Sequence, residues 1–181
     1  MYRDRFLALR RNFGQTERSN ADNAICQNIR QWEIYRDADQ VALYATDGEE
    51  PDLSSLFGDA EKRFYFPRYV AKEHDYELIE VCDLKRDLVR AKFGLLEPRS
   101  ELPATAVGLG EKMLFLTPAV ACDRHGVRLG RGGGFYDRML NRGAMAVAAI
   151  VYDCQLTENL PREAHDRKVD FAVTEKGILK F

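Results

Sequence analysis

The stretch Arg128-Leu-Gly-Arg-Gly-Gly-Gly-Phe-Tyr-Asp-Arg138 gathers three arginines, four glycines, a tyrosine and an aspartate in one run. Glycine reaches backbone angles that other residues adopt only with strain, so Gly130, Gly132, Gly133 and Gly134 can turn tightly and point successive N–H groups inward. Such a concavity beside Arg128, Arg131 and Arg138 suits phosphate, which takes several donors and a diffuse positive field. Phe135 to Leu140 reads as the first turns of a helix, whose free N–H groups would add to an anion site. No Gly-Lys-Ser/Thr follows the glycines, so the run is not a P-loop; Phe135 stands at the third glycine of the dinucleotide fingerprint, so it is not that either. A plain surface turn is the alternative reading. The three arginines and Asp137 favour a ligand loop. No Ser-His-Asp or Cys-His nucleophile site can be assembled from the motifs.

The elements that must position this loop alternate in type. Phe6, Leu9 and Phe13, and then Ile25, Ile29 and Trp32, recur at helical spacing, with Gly14 as the break between two helices. Arg3, Arg5, Arg10 and Arg11 make the first helix basic, read as a solvated face. Val41 to Ala45 has strand length and leads to a polar loop, Thr46 to Asp52. Leu53 to Ala60 is expected to be a short helix, Arg63 to Arg68 a strand ended by Pro67, and Tyr76 to Val81 a third strand. Residues 83 to 112 read as irregular and charged, with Phe93-Gly-Leu-Leu-Glu-Pro98 as a compact segment. Met113 to Ala121 is the most apolar run and the expected central strand; a turn at Asp123 to Gly126 delivers it into the glycine loop. Ala144 to Val151 and Phe171 to Thr174 are the remaining strands, joined by a polar connection. Strands separated by helices point to an α/β domain with a mostly parallel or mixed open sheet. Ligands of such sheets collect beyond the strands' carboxyl ends, where this loop would lie.

At 181 residues the chain is expected to be one domain, 1–181, able to bury roughly 70% of its unfolded surface. A net charge of −2 argues against a nucleic-acid-coating surface. No apolar run approaches the roughly 20 residues of a membrane span. Residues 1 to 31 lack the apolar stretch of a secretory signal, so a cytoplasmic location is expected. Cys26, Cys82, Cys122 and Cys154 form no CxxC pair, and His74, His125 and His165 are dispersed, so no zinc site is expected.

From Thr117 to Arg138 the sequence resembles the 5-formyltetrahydrofolate cyclo-ligase family, also called 5,10-methenyltetrahydrofolate synthetase. The family carries a strand ending in a Pro-Gly-x-Ala-Phe-Asp-like segment, followed by Gly-x-Arg-Leu-Gly-x-Gly-x-Gly-Tyr-Tyr-Asp-Arg. The basic N-terminal helix, Glu50-Pro-Asp52, Phe66-Pro-Arg-Tyr69, Phe93 to Pro98 and Gln155 to Asp170 fall in the family's order. The resemblance implies a three-layer fold like that of NagB, RpiA and the CoA transferases. It also implies an ATP-dependent ring closure. The formyl oxygen of 5-formyltetrahydrofolate attacks the γ-phosphate, and the resulting imine phosphate is closed by N10. The products are 5,10-methenyltetrahydrofolate, ADP and phosphate. Phosphoryl transfer of this kind needs positioning, Mg²⁺ and cations on the transferring group.

The resemblance further implies roles. Arg3, Arg128, Leu129, Gly130, Arg131, Gly132, Gly133, Gly134, Phe135 and Tyr136 would hold ATP, with Arg131 and Tyr136 catalytic and also facing the folate. Asp137 and Asp166 would hold Mg²⁺, as hard oxygen ligands do. Glu50 and Asp52 would hold the pterin, with Glu49 leaving that register open by one residue, and Phe93 would supply an apolar wall. The folate would carry one glutamate or several, and the chain would act as a monomer with no nucleic-acid or membrane partner. Two departures stand out: glycine at position 133, where the family often has lysine, and Phe135 in place of the first tyrosine. They motivate an alternative, a non-catalytic folate- or nucleotide-binding protein on the same fold.

Overall fold

In a computed structural model, residues 2–91, 94–104, 113–140, 144–162 and 166–181 are described. The chain opens with helices α1 (Tyr2–Arg11), α2 (Gln15–Gln31) and α3 (Glu33–Asp37). Gly14 separates the first two, and its N–H donates to Glu17 Oε2 at 3.2 Å, which ties the start of α2. Strand β1 (Gln40–Ala42), a 3-10 turn (Ser54–Gly58), β2 (Arg63–Val70) and β3 (Asp75–Val81) follow. The stretch read as irregular holds helix α4 (Leu84–Asp87) and the hairpin β4 (Leu88–Arg90) and β5 (Leu96–Pro98). The Asp83 carboxylate caps α4 by accepting from the Lys85 and Arg86 N–H groups. Then come β6 (Met113–Pro118), β7 (Ala121–Asp123), β8 (Arg128–Leu129), α5 (Phe135–Leu140) and β9 (Ala146–Ile150). A 3-10 turn (Asp153–Gln155), β10 (Leu156–Thr157), β11 (Phe171–Thr174) and β12 (Gly177–Lys180) complete the order.

The main sheet runs β12-β11-β9-β6-β1-β2-β3. Its five inner strands are parallel and both edge pairs are antiparallel. The mixed α/β sheet expected from the sequence is therefore present, with β6 at its centre. Alternation along β6 divides the core. Leu114 and Leu116 face the helix carrying Ile25, Cys26 and Ile29, whereas Met113 and Phe115 face Met139 and Leu140 of α5. This makes three layers. Phe6 of α1 packs separately on Val120, Ala121, Val127 and Leu160, beside the small sheet β10-β7-β8.

Two expectations need correction. Pro67 does not end β2, which continues to Val70 opposite Asp75. β1 pairs only with Arg63 to Tyr65, and the Tyr65 carbonyl accepts from Leu43 on that side. Residue 67 points the same way, beyond the last rung, so its missing N–H forfeits no bond. Phe171–Thr174 is not the last strand either: β12 follows as an antiparallel edge.

Candidate active site

β1 and β6 are parallel neighbours, so their carboxyl ends open at the same edge of the sheet. A cavity of about 740 Å³ lies there, lined by Tyr44 and Ala45 beyond β1, by Pro118, Ala119 and Val120 at the end of β6, and by the whole of Arg128 to Asp137. This is where an open α/β sheet binds ligands. Two buried side chains fix the path into the loop. Gln155 Nε2 donates to the Ala119 and Val120 carbonyls at 3.0 and 2.8 Å. Asp123, 2% exposed, accepts from the His125 and Val127 N–H groups through one oxygen and from Leu160 through the other.

In the loop, Gly132 and Gly134 have φ of 100° and 63°, the left-handed region that favours glycine. Arg3 reaches it from α1, its Nε donating to the Gly130 carbonyl at 2.9 Å. Arg128, whose side chain is 3% exposed, pairs with Asp137 Oδ1 at 3.1 Å and lies over the Tyr136 ring. Its Nε is buried without a hydrogen-bond partner among the described residues, a donor next to the cavity. Asp137 Oδ1 also accepts from the Arg167 N–H at 3.3 Å. Burial, and after it the Glu50 charge, push the Tyr136 hydroxyl well above its ordinary pKa, so it remains a donor.

The polar loop after β1 supplies the opposite charge. Arg131 contacts Asp47 Oδ2 and lies 3.3 Å from Glu50 Oε1. Glu50 is 8% exposed. Burial pushes its carboxyl up to about 7, with Glu49 adding to the rise and Arg10 opposing it. Arg10 is not part of a solvated face, as the basic pattern of α1 suggested: it is 1% exposed and held among Asp47, Glu49 and Glu50.

The Phe135 ring fills the space above Gly133. A Cβ at that position would come within 2.4 and 2.5 Å of the Phe135 ring. That ring meets Tyr76 edge-on at 5.0 Å and Tyr69 at 5.8 Å, and Arg138 lies over it at 4.9 Å. The two departures at 133 and 135 are neighbours in space: with the ring in this position, a side chain at 133 would require it to move. Arg138 also donates to the Gly133 carbonyl at 3.4 Å, which places a cation beside the loop.

The cavity brings together Arg3, Glu50, Arg128 to Asp137 and Asp166. Asp52 is not among the lining residues. It is exposed, and its carboxylate accepts from the Ser54 N–H at 2.8 Å, which starts the 3-10 turn. Phe93 lies outside the described residues. Sequence reasoning did not assign Tyr2, Tyr44, Tyr76, Leu95, Leu96 or Glu97, all of which line the cavity. The Leu-Leu-Glu of residues 95–97 was visible as a compact segment, but nothing local tied it to the glycine loop. Among the described residues no three His, Cys, Asp or Glu side chains group as a metal cluster. Asp137 and Asp166 both line the cavity as hard oxygen donors, the set that suits an ion completing its shell with phosphate oxygens.

The model of the 5-formyltetrahydrofolate cyclo-ligase family matches residues 1–175. The chain belongs to this family. The 5-formyltetrahydrofolate cyclo-ligase of Haemophilus influenzae is 32% identical over 166 residues, 87% of each chain. That of Escherichia coli K12 is 33% identical over 148 residues, 78% of this chain and 80% of the relative. The Mycolicibacterium smegmatis protein of the same name is 47% identical over 96 residues, about half of each chain. The NMR structure of Aquifex aeolicus 5,10-methenyltetrahydrofolate synthetase aligns with a TM-score of 0.85 at 31% identity, covering 99% of this chain and 90% of that one. Within the cyclo-ligase family frame, the glycine loop, its arginines and Glu50 share one cavity here.

Proposed function

We propose that this chain converts 5-formyltetrahydrofolate to 5,10-methenyltetrahydrofolate with ATP and Mg²⁺, releasing ADP and phosphate. The observation that carries the reading is one cavity lined both by the arginine-rich glycine loop and by the buried Glu50 carboxylate. The first is a phosphate site and the second an acceptor for the adjacent N–H donors of a pterin.

In this reading Arg3, Arg128 and the N–H groups of the loop orient the triphosphate. Arg131 leaves Asp47 and Glu50 for the γ-phosphoryl group, where the formyl oxygen displaces ADP. Tyr136, held protonated, donates a hydrogen bond to the transferred group. Glu50 fixes the pterin so that N10 lies within reach of the formyl carbon; N10 attack then expels phosphate and loses its proton. Asp137 and Asp166 would hold Mg²⁺, which supplies charge neutralisation on the phosphate oxygens. Among the described residues no helix is long and apolar enough to cross a membrane. We place the reaction in the cytoplasm and assign it to a monomer, the expectations drawn from the sequence.

The reading is tested by the co-dependence of turnover: ADP should form only when folate and Mg²⁺ are both present. Asp137→Asn should raise the Mg²⁺ concentration needed for half-maximal rate by about 10- to 100-fold, while saturating Mg²⁺ recovers much of the rate. An unchanged Mg²⁺ titration would remove Asp137 from the ion.

A further inference from the structure

Arg10 belongs to none of the roles above, yet it is among the most buried side chains of the protein. Its Nη2 lies 3.4 Å from Asp47 Oδ2 and 3.2 Å from Glu49 Oε2, and its Nη1 is 3.9 Å from Glu50 Oε1. The loop it meets is rigidly built. Asp47 Oδ1 accepts from the Glu49 and Glu50 N–H groups, and the Glu50 carbonyl accepts from Thr46 Oγ1, all at 2.8 Å. Arg18 pins the loop from α2, donating to the Gly48 carbonyl and, through its other nitrogen, to the Arg10 carbonyl. Arg131 reaches the same two carboxylates, Asp47 and Glu50, but its side chain is 50% exposed and sits on the glycine loop.

The two arginines therefore differ in kind. We infer that Arg10 is a positioning residue, a fixed counter-ion that holds the Asp47–Glu50 loop and favours the ionised form of Glu50 when Arg131 leaves it for a phosphate. This inference rests on the reading of Glu50 as the pterin contact. Without a resident cation, a carboxylate buried to this degree takes a proton rather than stay charged. A protonated Glu50 would lose its capacity to accept from two N–H donors. The groups facing Glu50 are Arg10 from α1, Asp47 and Glu49 on its own loop, Arg131 from the glycine loop, Tyr44 beyond β1 and Tyr136 of α5. Only Arg10 and Arg131 among these are cations, and phosphate binding would engage Arg131. The surplus acids make the remaining cation decisive.

The test measures KM for 5-formyltetrahydrofolate and kcat from about pH 6 to about pH 9 for wild type, Arg10→Met, Arg10→Lys, Glu50→Gln and Arg10→Met/Glu50→Gln. In Arg10→Met, KM should rise on the order of 10-fold near neutrality with kcat little changed. The penalty should shrink as pH rises and Glu50 ionises unaided, because loss of a cation moves a carboxyl's titration upward. Arg10→Lys should restore most of the profile. The double variant should be no worse than Glu50→Gln alone, since the two then act through one carboxylate. A KM penalty equal at every pH would overturn the inference, because a merely structural arginine acts that way. If Glu50→Gln itself leaves KM unchanged, the pterin assignment fails instead. If Arg10→Met does not fold, Arg10→Gln decides: a folate KM profile displaced to higher pH supports the inference, and a penalty equal at every pH refutes it.

Discussion

Replacing Arg131 by alanine should lower turnover by on the order of 10³-fold, the scale of an arginine that stabilises charge on a transferring phosphoryl group. Its half-exposed side chain rests on Asp47 and Glu50 at the cavity, so substrate phosphate can draw it away without unpacking the core. Because the loop backbone and Arg128 remain, ATP affinity should fall far less than kcat, which marks an interaction made chiefly in the transition state. Arg131→Lys should recover little, since a point charge does not reproduce the fork of a guanidinium. Steady-state kinetics with ATP and folate varied separately would check both statements. Near-normal kcat in Arg131→Ala would take Arg131 out of the chemistry.

Glu50→Gln should show opposite effects on stability and on binding. Burial raises the Glu50 carboxyl in the folded protein from an ordinary 4.5 to about 7. A raised carboxyl favours folding below the unfolded value, and that contribution is lost as pH climbs from 4.5 through 7. The full displacement corresponds to about 3 kcal/mol at most. Relative to wild type, Glu50→Gln should therefore gain stability progressively across that window, while KM for the folate rises. Urea unfolding at pH 5 and pH 8 measures the first, and initial rates the second. A stability difference that does not change between the two pH values would contradict the account of Glu50.

The inner strands were legible because both faces of the sheet are covered: Val41, Leu114 to Leu116 and Ala146 to Ile150 are buried runs whose composition alone marks them. The edge strand Gly177–Lys180 was not, since three half-exposed residues and an exposed lysine carry no long apolar run. Nor was the hairpin Leu88–Arg90 and Leu96–Pro98, because its charged side chains hide the alternation. The glycine loop was legible as an anion site from residue types alone. Arg10 was misread because its acidic partners lie 37 and 39 residues away, and a buried ion cluster looks in sequence like a solvated basic helix. Asp52 shows the converse. Two residues after Glu50, it caps the 3-10 turn instead of entering the cavity, a difference of backbone direction that no composition reveals. Gly133 looked like a lost contact in isolation; in the structure it lies against the Phe135 ring.

The most direct measurement mixes the purified chain with 5-formyltetrahydrofolate, ATP and Mg²⁺ and follows the near-ultraviolet absorbance of the methenyl product alongside ADP. The expected result is growth of that band, with one ADP per methenyltetrahydrofolate and none when ATP is omitted. Saturable binding of folate or ATP with no band and no ADP would contradict the assignment, and would make the chain a binding protein on a cyclo-ligase fold.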